Sequence, residues 1–173
     1  MIHFLNASNE IHVRMGELMV TNDRSAILIT LVGSCVALCF YDPVAKVAGM
    51  AHVMLPQSTV RLRDEAKMNL TRQGKYADVA IDELLKKMHR KGAQAGKIHS
   101  KMVGGASLFH DEQGGYPFSI GDRNVESLRR LLQESRIPLT GEDAGKDYGR
   151  WVRFFVNSGE IVVSSKKRGQ VVL

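Results

Sequence analysis

Apolar and polar positions along the chain fall into strand-like runs separated by two stretches of helical spacing. Residues 26–32 (Ala-Ile-Leu-Ile-Thr-Leu-Val) are almost continuously apolar and rich in β-branched side chains, which predicts a strand buried on both faces. Gly33-Ser34 breaks the run, and a second strand is expected over residues 35–41. Asp42-Pro43-Val44-Ala45 is a turn signal with Asp first and Pro second, and a third strand follows over 46–55, stopped by Pro56. Ahead of this hairpin, residues 11–19 predict a short strand or arm, followed by a turn at Thr21-Asn22-Asp23. The polar stretch 57–75 lacks periodicity and reads as a long surface loop, a class that often carries function.

Ala77, Ile81, Leu84, Leu85 and Met88 then recur at helical spacing. Acidic residues come early and Lys86 and Lys87 late, as the helix dipole favours. Residues 98–103 predict another strand, leading into Gly104-Gly105. A second helix is expected from Gly121-Asp122, with Val125, Leu128, Leu131 and Leu132 on its apolar face and Pro138 beyond its end. Residues 141–150 read as a charged connection. Residues 151–156 and 160–164 predict a closing hairpin around Asn157-Ser158-Gly159. The order of elements predicts a single α+β domain over residues 1–173, with 1–24 as an N-terminal arm and 166–173 as a basic tail.

Composition narrows the class. At 173 residues, 44% hydrophobic and 24% charged, the chain can bury a core without metals or cross-links. It has no apolar run of the roughly 18 residues that a membrane span requires, so no membrane insertion is expected. Glu10, Arg14 and Glu17 exclude a secretory signal core over the first residues, and a cytoplasmic location is expected. The net charge of +6 points to an acidic partner. Without zinc-finger spacing or an aromatic-rich RNA-binding strand, no nucleic acid is expected.

Two cysteines, Cys35 and Cys39, lie four positions apart, roughly 13 Å along a strand. That exceeds the reach of a disulfide, and the spacing is not C-x-x-C. Both thiols are therefore free. If residues 42–45 form a four-residue turn, Tyr41 faces Lys46, Cys39 faces Ala48 and Cys35 faces His52. Opposed residues project from one face, so a thiol and an imidazole would share a proton. Cys35 also follows the Gly33-Ser34 break, where backbone N–H groups are free to hold an oxyanion. Cys39 sits mid-strand and reads as a small core hydrophobe. His3, His12, His89, His99 and His110 read as structural or exposed, and no metal-ligand cluster and no cofactor are expected.

The segments Gly33-Ser34-Cys35-Val36-Ala37-Leu38-Cys39-Phe40-Tyr41-Asp42-Pro43 and Gly49-Met50-Ala51-His52-Val53-Met54-Leu55-Pro56 closely resemble the chemoreceptor glutamine deamidase family CheD. Lys75-Tyr76-Ala77-Asp78, Gly104-Gly105-Ala106, Ile120-Gly121-Asp122-Arg123-Asn124 and Asp147-Tyr148-Gly149-Arg150 resemble the family's segments in the family's order. The resemblance covers residues 20–165. It implies layered β-sheets flanked by helices, and a protein-glutamine glutaminase acting on cytoplasmic helices of methyl-accepting chemotaxis proteins. It further implies accessory methylesterase activity and binding to the response-regulator phosphatase CheC. The family's nucleophile maps onto Cys35 and its histidine onto His52. The family's threonine commonly stands six positions ahead of the cysteine, which is Ile29 here, while Thr30 stands five ahead. Thr30 takes that role only where the backbone bulges or the intervening loop is one residue shorter, because adjacent strand residues face opposite ways.

Overall fold

Strand alternation decides how the layers stack. The computed structural model of the chain describes residues 9–57, 72–107 and 119–173. Among these, one sheet contains β1 (Asn9–His12), β3 (Ala26–Val32), β8 (Arg150–Phe155), β9 (Ile161–Ser165) and β10 (Gly169–Val172), in the order β1-β3-β8-β9-β10. The other contains β2 (Leu18–Thr21), β4 (Val36–Asp42), β5 (Val47–Val53), β6 (His99–Gly104) and β7 (Leu139–Ala144), in the order β2-β5-β4-β6-β7.

Even-numbered residues of β3 and β8 (Leu28, Val32, Val152, Phe154) meet odd-numbered residues of β4 (Ala37, Cys39, Tyr41) and even-numbered residues of β5 (Ala48, Met50) in one buried cluster between the sheets. The opposite face of the second sheet (Val36, Leu38, Phe40, Ala51, Val53) is covered by α1 (Ala77–Arg90) and α2 (Ile120–Glu134). Strands β4 and β5 are thus buried on both faces, which is why they read as unbroken apolar runs. The arrangement is sheet on sheet on helices, an α+β fold of layered mixed sheets. No helix among the described residues is long and apolar enough to cross a membrane.

Both helices follow their apolar stripes. Ala77, Ile81, Leu84 and Met88 of α1 are buried. Helix α2 starts at a capping box: the Ser119 hydroxyl accepts from the Asp122 amide, and the Asp122 carboxylate accepts from the Ser119 amide.

Two features depart from the expectations, and a third expectation falls largely outside the described residues. Residues 139–144, expected partly as a charged connection, form β7, an edge strand parallel to β6. Its alternation is hidden because its inward residues include Asp143, which accepts from the fully buried Arg150 at 3.1 Å and from Arg168 at 3.3 Å. Residues within the expected arm and tail lie in sheet edges: β1 pairs with β3, β2 with β5 and β10 with β9. The central part of the expected 57–75 loop lies outside the described residues. Its return point is fixed, because Met54 and Leu55 both donate to the Lys75 carbonyl.

Candidate active site

His52 is an even-numbered residue of β5 and therefore projects between the sheets, where it is 2% exposed. Its backbone is pinned by the chain leading into β2: its amide donates to the Glu17 carbonyl (3.0 Å) and its carbonyl accepts from the Gly16 amide (3.1 Å). Thr30 approaches from β3 of the other sheet, with its Oγ1 2.8 Å from His52 Nδ1 and 2.7 Å from the Val13 carbonyl oxygen.

These two distances determine the imidazole tautomer. Two oxygens 2.7 Å apart need a proton between them, and a carbonyl can only accept, so the Thr30 hydroxyl donates to Val13. Its single proton is then used, and the hydroxyl oxygen must accept from Nδ1–H of His52. Nε2 is left with a free lone pair, the state a general base requires.

Thr30 reaches the histidine without a bulge. The β3–β8 register runs from Ile27↔Phe155 to Val32↔Arg150 with no shift. Only residues 33–35 separate β3 from β4. Ile29 belongs to the opposite parity.

Cys35 stands at the end of that connection and is half-buried. The expected direct opposition of Cys35 and His52 is not observed: His52 pairs with Ala37, and the closing pair is Asp42↔Val47. The four-residue turn lies one position later than expected, at residues 43–46, where Asp42 Oδ1 accepts from the amides of Val44 and Ala45 and Lys46 takes a left-handed φ of 55°. The slip is an even number of residues, so Cys35 keeps the face of His52 as its diagonal neighbour. Such neighbours lie roughly 7–8 Å apart, within reach of long side chains.

The loop carrying Cys35 is held from behind. Ala106 donates to the Gly33 carbonyl and Gly105 to the Cys35 carbonyl, each at 2.8 Å. The Gly-Gly pair at the end of β6 is required by this contact. A Cβ on Gly104 would sit 2.3 Å from the Cys35 carbonyl oxygen, and one on Gly105 would sit 2.2 Å from Val125 Cγ2. Among the described residues, the amides of Ser34 and Cys35 have no hydrogen-bond acceptor. Together with Gly33, they are the residues expected to cradle an oxyanion.

Burial pushes the Cys35 thiol above its ordinary 9.0 and holds His52 below its ordinary 6.5, the nearby Val13 carbonyl partly offsetting the latter. The resting pair is therefore thiol and neutral imidazole, not thiolate and imidazolium. Cys39 is fully buried between the sheets, and its thiol is pushed far up by desolvation. Among the described residues, the other histidines have their contacts elsewhere. His12 stacks edge-on against Trp151, His99 stacks edge-on against Tyr41, and His89 lies in the last turn of α1. His3 and His110 lie outside the described residues.

Two contributors escape sequence reasoning. The Val13 carbonyl is backbone and carries no side-chain signal. Asn124 is fully buried on α2 and donates from Nδ2 to the carbonyls of Ser34 (3.1 Å) and Met54 (3.0 Å). A polar residue inside the apolar stripe of α2 was the available clue.

Comparison with known proteins follows the same lines. The family model described as CheD chemotactic sensory transduction matches residues 54–165. A probable chemoreceptor glutamine deamidase CheD of Archaeoglobus fulgidus is 38% identical over 94% of this chain and 98% of its own length. One of Caldanaerobacter subterraneus subsp. tengcongensis is 34% identical over 94% of this chain and 96% of its own. The chemoreceptor glutamine deamidase CheD of Halalkalibacterium halodurans is 36% identical over 92% of this chain and 96% of its own. At such coverage the alignments take in Cys35 and His52, which precede the span of the family model. The chain belongs to the CheD family.

Proposed function

We propose that this protein is a chemoreceptor glutamine deamidase in which Cys35 is the nucleophile, His52 the general base and acid, and Thr30 the residue that orients His52. The observation that carries the reading is the Val13–Thr30–His52 hydrogen-bond chain, which leaves Nε2 unprotonated on the face shared with Cys35.

The glutamine carboxamide carbon is attacked by Cys35 Sγ as the thiol proton passes to Nε2 of His52. The amide carbonyl becomes an oxyanion, held by the free N–H groups of Ser34 and Cys35. His52 then protonates the departing nitrogen, ammonia leaves, and a thioester remains. Water, deprotonated by His52, attacks the thioester carbonyl. Glutamate is released, and the proton returns to sulfur. A glutamyl methyl ester would form the same acyl-enzyme with methanol as the leaving group, so methylesterase activity is compatible with this machinery. The partners implied are the acidic cytoplasmic helices of chemoreceptors.

The experiment is mass spectrometry of a receptor cytoplasmic fragment incubated with wild-type protein and with Cys35→Ala. Glutamine-to-glutamate conversion by the wild type alone supports the reading, and conversion by both refutes it.

Two further results are expected. The productive pair is a protonated thiol with a neutral imidazole, so kcat/KM falls on the acid side as His52 gains a proton. It falls on the alkaline side as the thiol ionises and no proton remains for the leaving group. Because burial lowers the first pKa and raises the second, the acid limb lies below pH 6.5 and the alkaline limb above pH 9.0. A pH–rate profile with a limb inside that window would contradict the neutral pair. Thr30→Val removes one hydrogen bond to His52 but leaves the Val13 carbonyl as an alternative acceptor for Nδ1–H. The loss is about 1 kcal/mol of orientation, or roughly five- to ten-fold in kcat, read by steady-state kinetics with KM unchanged.

A further inference from the structure

We infer that Asn124 is a positioning residue for the oxyanion site: it aims the Cys35 amide by holding the Ser34 carbonyl. This rests on the reading of Cys35 as the nucleophile.

The Ser34 carbonyl and the Cys35 amide belong to one peptide unit. Across a trans peptide they point in opposite directions, so whatever fixes the carbonyl also fixes the N–H. Asn124 Nδ2 holds this carbonyl at 3.1 Å. The neighbouring peptide units are held in the same manner, Gly33 by the Ala106 amide and Cys35 by the Gly105 amide. Three consecutive carbonyls are thus gripped by donors that adjoin one another. Gly121 of α2 presses on the carbonyls of Gly105 and Ala106, leaving a Cβ there only 2.5 Å from either oxygen. Of the three donors, two are backbone amides and cannot be altered by substitution. Asn124 is the side chain among them.

The orientation of the amide group is unambiguous. Nδ2 uses both protons, the second on the Met54 carbonyl at 3.0 Å, and the reverse orientation would set Oδ1 against two carbonyl oxygens. Met54 lies two residues beyond His52, so the same NH2 group ties the nucleophile loop to the strand carrying the base. Asn124 Oδ1 is buried and has no partner among the described residues. An unpaired buried acceptor is a cost, and the double donor accounts for its retention: leucine fills the volume but donates nothing, and aspartate repels both carbonyls. Hydrogen bonding at the Ser34 oxygen also polarises the Cys35 N–H and strengthens it as a donor.

The test separates oxyanion support from general loosening by comparing two reactions of one thiol. Deamidation passes through a tetrahedral oxyanion, whereas alkylation of Cys35 by iodoacetamide does not. In Asn124→Leu, kcat for deamidation of a receptor fragment is expected to fall roughly ten- to a hundred-fold with KM unchanged. The alkylation rate and its pH profile should stay within about two-fold of wild type, since no tetrahedral oxyanion contributes to that reaction. Parallel loss of both reactions would reduce Asn124 to structural support, and an unchanged kcat would remove it from the site; either overturns the inference. If the leucine variant does not give a cooperative melt, Asn124→Ala is measured in the same two assays, with the same outcomes deciding. Failure of the underlying reading looks different, because Cys35→Ala would then still deamidate whatever Asn124 does.

Discussion

Cys35→Ala is expected to lose receptor deamidation down to the buffer background, roughly a million-fold in kcat, the scale on which deletion of a covalent nucleophile is felt. The size of the loss follows from the lack of a substitute. Cys39, the other thiol, is buried mid-strand between the sheets, with its ionisation strongly suppressed. A water molecule in place of Sγ would have to attack the unactivated amide directly. Cys35→Ser should be nearly as inactive. A hydroxyl is harder to deprotonate than a thiol, and an imidazole whose basicity is already reduced by burial is a poor base for it. The fold should be unaffected, since Cys35 lies in a loop held by its backbone carbonyl. Trapping the wild-type thioester with hydroxylamine, and finding no adduct in either variant, completes the measurement.

The second large effect is at His52. His52→Ala removes both the acceptor of the thiol proton and the donor to departing ammonia, and kcat near neutral pH should fall roughly a thousand-fold. The diagnostic feature is the shape of the residual activity. In the wild type, the deamidation rate is expected to be flat between the two limbs. In the variant the thiol must ionise unaided, so alkylation by iodoacetamide should climb steadily with pH toward and beyond 9.0. A variant whose alkylation profile overlays that of the wild type would show that the imidazole never handled the thiol proton.

Much of this site was legible because side-chain parity survives errors of register. Counting a four-residue turn over residues 42–45 placed Cys35 directly across from His52. The Asp42 carboxylate instead gathers the following amides into a turn of the same length set one residue later, over 43–46 and closed by Val47. The shift preserved the face and changed only the pairing partner, so Cys35 and His52 stay on one side of the sheet although they do not oppose one another. Thr30 illustrates the reverse. Alternation alone argued against it, because the path of three residues between two sheets obeys no strand periodicity. The helices were readable since each has a single apolar stripe, but Asn124 interrupts one stripe with a polar group whose partners are backbone carbonyls. Strand β7 was hidden because the partner of its inward acid is Arg150 on β8, and sequence spacing does not reveal such a meeting. Backbone acceptors such as the Val13 carbonyl have no residue-type signature at all.

The hydroxyl contact between Thr30 and His52 joins one sheet to the other. Each sheet can in principle assemble its own ladder while the two remain apart, and in such a partly formed chain the imidazole has no fixed tautomer. The site is therefore complete only when the layers are closed. Deamidation releases ammonia and is not reversed by the enzyme that performs it. A catalyst that stays inert until its layers are stacked spares other proteins from its unfinished or partly melted forms.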